Sequence, residues 1–239
     1  MKSLLPTACF LVPLLAVSVV AAEAKPTAKQ ALQAFNDLIG EWRGTGEPLV
    51  GSRDDRLNKF WTETIRWEWQ FKGDDAWLLA KIEKGKYFTG GELRYLPEKG
   101  TYRLILKTVG KESLTFEGKL DDKRLTLDRT DETKKENQRF VLSMLHSNRY
   151  LFRYETKATD QTSYTAIYRV GATKEGEPFA GRGDDKPECI VSGGLGTMPV
   201  MYKGKTYYVC CSGCRDAFKE EPDKYIKEFE EKKAKEAKK

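Results

Sequence analysis

Histidine is almost missing from this chain. There is one, His146, in 239 residues, which leaves little for histidine-based acid–base chemistry or a His-rich metal site. No nucleophile–base pair and no glycine-rich phosphate loop can be picked out, so an enzyme is not the expected function. After Val20 no apolar run is long enough to span a bilayer. The excess of positive charge is mild and spread out: 42 Lys and Arg against 36 Asp and Glu, a net +6. No dense basic stripe stands out in the folded part, which argues against a nucleic-acid partner. Cysteine is scarce too, and unevenly placed. Of five, Cys9 lies in the N-terminal apolar run, and Cys189, Cys210, Cys211 and Cys214 crowd the C-terminal end.

The N-terminus reads as an address. Lys2 supplies the charge, Leu4 to Val20 the apolar run, and Val20-Ala21-Ala22-Glu23-Ala24 the small residues that signal peptidase prefers. Residues 1–24 are therefore expected to be a signal peptide cleaved after Ala22 or Ala24. The other reading is an uncleaved anchor, for which the run is short. Cys9 has too little apolar sequence before it to be a lipidation cysteine. The expectation is an exported protein, periplasmic or secreted, with no membrane span once cleaved and its cysteines in an oxidising compartment.

From Thr27 to Ile39, Ala31, Leu32, Phe35, Leu38 and Ile39 recur at helical spacing behind Thr27 as an N-cap, and Gly40 ends the pattern. The period then changes to two. In Phe60–Phe71, FWTETIRWEWQF, the alternation puts Trp61, Glu63, Ile65, Trp67, Trp69 and Phe71 on one face. Similar runs follow to Val170, separated by turn signals such as Lys72-Gly73-Asp74-Asp75 and Asp121-Asp122-Lys123. About ten strands in up-and-down order without intervening helices predict a closed antiparallel barrel over residues 27–170, closure being the way such a sheet loses its edges. The short helix leading into LIGEWRGTGE (Leu38–Glu47), followed by a strand meander, resembles the lipocalin-like, nitrobindin-like barrels. That resemblance implies an interior able to take a small apolar ligand. In nitrobindins a histidine binds haem. Here His146 sits in the turn sequence His-Ser-Asn, so haem is not carried over.

Residues 171–187 are rich in Gly, Pro and charge and read as a linker. The segment 188–230 is too small for a large core and calls for a disulfide or metal staple. A charged tail, 231–239, follows. The spacing Cys189-x20-Cys210-x3-Cys214, with Cys211 inserted, places Cys210 at the end of a strand–turn–strand unit and Cys214 at the start of a helix running to Glu220. Pro222 stops that helix and opens the next. A hairpin end and a helix N-terminus can converge their thiols, and the helix dipole favours the thiolate that binds metal. Thiolates select zinc or copper(I). Structural disulfides among the four cysteines, or redox activity of Cys211-Ser212-Gly213-Cys214, remain open on spacing alone.

The stretches Cys189–Gly193, Tyr202–Tyr208 and Phe218–Ile226, with Cys210 and Cys214, closely resemble the YHS and TRASH modules. The resemblance implies a treble-clef-like α+β knuckle that handles transition metals. Many relatives open with C-x-x-C; here Ser192 takes the second position. The expected ligands are Cys189, Cys210 and Cys214, with Cys211 a fourth ligand or a bystander. The function expected from all of this is non-enzymatic metal handling in an exported protein. The alternative is a small apolar ligand carrier whose C-terminal module is a disulfide or zinc staple.

Overall fold

The structure is a computed structural model and describes residues 25–176 and 187–236. The signal-peptide reading and most of the linker reading fall outside those residues. Among the described residues no helix is long and apolar enough to cross a membrane.

Ten antiparallel strands close into a barrel in sequence order, the last pairing with the first. They are β1 Gly40–Pro48, β2 Trp61–Lys72, β3 Asp75–Glu83, β4 Phe88–Leu96, β5 Thr101–Thr108, β6 Ser113–Asp121, β7 Arg124–Asp131, β8 Glu136–His146, β9 Arg149–Ala158 and β10 Thr165–Lys174. The strands run past several of the ends that alternation suggests. In particular β10 does not stop at Val170: Thr173 pairs with Arg149 of β9 and Lys174 with Trp42 of β1. A polar helix, α2 (Arg53–Asn58), fills the β1–β2 connection. Its apolar content is too low to mark it by periodicity.

Alternation fills the interior, as the period of two requires. Leu78, Leu93, Phe116, Leu125, Leu127 and Val170 are fully buried there. The cavity left among Ile65, Trp67, Leu104, Phe140 and Phe152 is only about 30 Å³. The alternating glycines of the β1 motif are explained by their neighbours. A Cβ at Gly44 would stand 2.9 Å from Glu63 Cγ, and one at Gly46 would stand 2.0 Å from the Trp61 ring. These two glycines let Glu63 and Trp61 lie inside. Trp61 Nε1 donates to Glu63 Oε2 at 3.0 Å, and burial pushes the Glu63 carboxyl above its ordinary range.

One end of the barrel is plugged by the N-terminal helical segment. Thr27 caps α1 (Ala28–Leu32) through a reciprocal box with Gln30. The chain then tightens into a 3₁₀ turn, Gln33–Leu38, instead of continuing as one α-helix. This tightening delivers Phe35 and Leu38 inward and frees polar groups for the barrel's indoles. Trp42 Nε1 donates to the Leu38 carbonyl at 2.7 Å and Trp69 Nε1 to Asn36 Oδ1 at 3.1 Å.

The C-terminal module is a hairpin of β11 (Met198–Tyr202) and β12 (Lys205–Val209), then α3 (Ser212–Glu220) and α4 (Pro222–Glu236). Lys203 and Gly204 both have positive φ, the conformation a two-residue hairpin loop demands. The module shares one continuous apolar core with the barrel: Cys189, Val191, Val209, Cys214 and Phe218 belong to the same buried cluster as Trp69 and Phe35. The place of contact follows from the sheet. β1 pairs with β2 only as far as Gly40↔Trp67, while β2 runs on to Lys72. The far end of β2 therefore presents an edge without β1, and α3 is seated there. A Cβ on Gly213 would fall 1.6 Å from the Trp69 carbonyl oxygen.

Candidate metal centre

Three segments bring the sulphurs together. The first is the turn Cys189–Gly194, closed by Gly193 N–H on the Cys189 carbonyl at 2.9 Å and Cys189 N–H on the Gly194 carbonyl at 2.7 Å. Gly193 has φ +74, which explains a glycine there. The second is the end of β12, which delivers Cys210. The third is the first turn of α3. That helix begins at Ser212, two residues earlier than the sequence pattern suggests, so Cys214 sits within its first turn. There unpaired backbone N–H groups and the helix dipole favour a negative sulphur.

The sulphurs of Cys189, Cys210 and Cys214 all lie within 4.8 Å of one another, with Cys210 and Cys214 3.5 Å apart. Cys189 and Cys214 are completely buried and Cys210 is half-buried. All four described cysteines are free thiols. A groove of about 700 Å³, lined in part by Gly40, Glu41, Lys174, Gly194 and Thr197, reaches Cys210.

Cys211 is placed differently. Its sulphur is 3.9 Å from that of Cys210 but falls outside the mutually close group. It accepts the Trp69 backbone N–H of β2 at 3.3 Å. Cys211 holds the N-cap position of α3 without a side-chain cap bond, because its side chain faces the barrel.

Ser192 is fully buried at the knuckle. Its N–H donates to Cys189 Sγ at 3.5 Å, its Oγ lies 3.4 Å from Cys210 Sγ, and Gly194 N–H donates to that Oγ at 3.3 Å. Its carbonyl accepts Gln33 Nε2 at 3.0 Å and Asn36 Nδ2 at 3.1 Å from the barrel plug. The knuckle is thus tied to the barrel by the residue that touches two of the sulphurs.

Crowding splits the thiols into two kinds. Hydrogen bonds from Cys210 and then Cys214 pull Cys189 far below the ordinary thiol range and Cys211 down to about 3. Cys210 is pushed up by Cys189 and Cys211, and Cys214 by burial first and then by Cys189 and Cys210. The cluster therefore combines ready thiolates with thiols that shed a proton when a cation takes its place, the usual condition of a thiolate metal site.

Residues 198–228 match the family model of the YHS domain. No curated protein matches the chain. The matched stretch holds β11, β12, α3 and the first part of α4, with Cys210 and Cys214. Cys189 lies before it and reaches the YHS domain's cysteines through the knuckle. The donor set fits a thiophilic metal: three converging sulphurs, two of them fully buried, with no carboxylate or imidazole in the group. The fit does not choose between zinc and copper(I). His146 is far from this role. It ends β8, is exposed, and pairs through Nδ1 with Asn148 Oδ1 at 3.0 Å. Sequence spacing pointed to the three converging cysteines. It carried no sign that Trp69 would hold the neighbouring Cys211, 142 positions away, or that Asn36 would hold Ser192, 156 positions away.

Proposed function

We propose that the chain is an exported, non-enzymatic protein that binds one transition-metal ion through Cys189, Cys210 and Cys214, with the barrel as the scaffold that holds the YHS domain. The observation that carries this reading is the convergence of those three sulphurs within 4.8 Å. Export is supported by the N-terminal pattern Lys2, Leu4–Val20 and Val20–Ala24. In an oxidising compartment, a bound metal would keep neighbouring thiols from pairing as disulfides. The small-ligand carrier is the weaker reading. Its interior cavity of about 30 Å³ compares with roughly 300–1,000 Å³ for sites that enclose a small molecule.

Metal uptake is expected to release protons, because the raised thiols Cys210 and Cys214 must ionise to become ligands. Affinity then falls as pH falls, by about tenfold per pH unit for each proton displaced. Calorimetric titration of the reduced protein in buffers of different ionisation enthalpy measures the proton count. Binding that releases none and is flat with pH would contradict thiol ligation.

Export has its own test. N-terminal sequencing of the recovered protein is expected to begin at Glu23 or Lys25. A chain that keeps Met1 and stays with the membrane contradicts this part of the proposal and leaves the metal site untouched.

A further inference from the structure

We propose that the end of the barrel away from the plug is a binding site for a small primary ammonium compound, held by Glu63 and the rings of Trp61, Tyr87 and Tyr168. The site is separate from the cysteine cluster, and its test is independent of metal. It starts from a carboxylate in an unusual place. Glu63 is 6% exposed and faces inward between Trp61 and Ile65 on β2. Its Oε2 accepts the Trp61 indole N–H, but its Oε1 is buried with no hydrogen-bond partner. Glu155, the other buried carboxylate among the described residues, is paired with Arg153. A buried carboxylate left half-satisfied is costly, yet the fold makes room for this one by placing Gly44 and Gly46 against it and Trp61. An apolar side chain would fill the same space at lower cost, so Oε1 awaits a donor from outside the chain. Burial pushes the Glu63 carboxyl up, and the Trp61 indole and Lys86 backbone N–H oppose only part of that rise. The titratable groups that face it, Tyr87, Tyr150 and Tyr168, are raised as well and stay neutral. The carboxyl therefore holds a proton or a cation.

The walls suit a cation. Tyr87 stacks on Tyr168 with ring centroids 4.2 Å apart, and Trp61 meets both edge-on at 5.5 and 5.9 Å. An ammonium already rests on this cluster: Lys86 Nζ lies 4.7 Å from the Trp61 ring centroid and 5.7 Å from that of Tyr87. Lys86 is exposed and belongs to the connection between β3 and β4, whose mutual register ends at Lys81↔Gly90. It covers the rings but leaves Oε1 without a donor. A free primary ammonium that takes its place can lie on the rings and also donate to Oε1, since it carries three N–H groups. A quaternary ammonium has none, and an alcohol has no charge.

The test titrates the whole protein with butylammonium, butanol and tetramethylammonium in parallel. The signal is the NMR resonance of the Trp61 indole N–H, assigned by its loss in Trp61→Phe. Butylammonium is expected to give a saturable shift, and the other two to bind at least tenfold more weakly. Glu63→Gln should lower butylammonium affinity by about 10–100-fold, the scale of a hydrogen bond to a charged group. Lys86→Ala, a change at an exposed position, should raise it by about 2–5-fold by removing the competing ammonium. Butanol binding as tightly as butylammonium would overturn the proposal in favour of an apolar ligand. Equal binding of tetramethylammonium would remove the role of Oε1. No saturable shift in wild type, unchanged affinity in Glu63→Gln, or unchanged affinity in Lys86→Ala would each overturn it too.

Discussion

Cys214→Ser is expected to weaken metal binding by more than a hundredfold. Cys214 is completely buried, and its sulphur closes the triangle with Cys189 and Cys210. A structural thiolate site supplies about 10–16 kcal/mol. Shared among three ligands, loss of one costs on the order of 3–5 kcal/mol, or more than a hundredfold in affinity. Because metal stabilises only the folded state, the variant should also lose the rise in melting temperature that metal gives the wild type. Cys211→Ser is the informative companion. It keeps the three converging sulphurs and gives up an N–H···S contact to Trp69, so metal should stay bound with modest destabilisation. Chelator competition and thermal melts of both variants, with and without metal, read the contrast. Unchanged metal affinity in Cys214→Ser would refute the assignment.

Gly213→Ala is expected to destabilise the protein by about 2–3 kcal/mol, the cost of forcing an atom into a packed interior. For a chain of this size that lowers the melting temperature by about 4–12 °C. The sign is the point. In an exposed helix, alanine in place of glycine stabilises by up to about 1 kcal/mol. Here the added Cβ would meet the Trp69 carbonyl oxygen at 1.6 Å and its carbon at 2.7 Å. Both are backbone atoms that cannot rotate away. The strain falls on the seat of α3 against β2, where Ser212 Oγ donates to Glu68 at 3.2 Å and Trp69 N–H reaches Cys211. Calorimetric or chemical unfolding measures it. A neutral or stabilising result would mean that the YHS domain does not sit on the barrel edge.

The barrel was legible because each strand announces itself locally. The alternation in FWTETIRWEWQF assigns Trp61, Glu63, Ile65, Trp67 and Trp69 to one face, and these are the side chains turned inward. The cysteine cluster was legible for the same reason, since strand end, turn and helix start are set by neighbours a few positions apart. What could not be read depends on distant pairs. The 3₁₀ tightening of Gln33–Leu38 answers to Trp42 and Trp69, which need the Leu38 carbonyl and the Asn36 amide. The glycine at 213 answers to a carbonyl 144 positions earlier. The continuation of β10 to Lys174 answers to partners on β1 and β9, whereas Gly171 by itself looks like the opening of a linker.

Such pairs also change the picture of two modules on a string. The knuckle residue Ser192 bonds to the plug through Gln33 and Asn36. Lys29 of α1 meets Glu228 of α4 at 2.8 Å. Metal bound at the cysteines would therefore stabilise the barrel's plugged end as well as the small domain.

The central claim is that the cysteines hold a metal ion rather than bridge one another. Native mass spectrometry of the purified protein, followed by thiol counting after denaturation, tests it most directly. The account predicts one transition-metal ion per chain and reactive thiols at Cys189, Cys210 and Cys214 once the metal is removed. A metal-free folded chain, with those cysteines unreactive until a reductant is added, would contradict it.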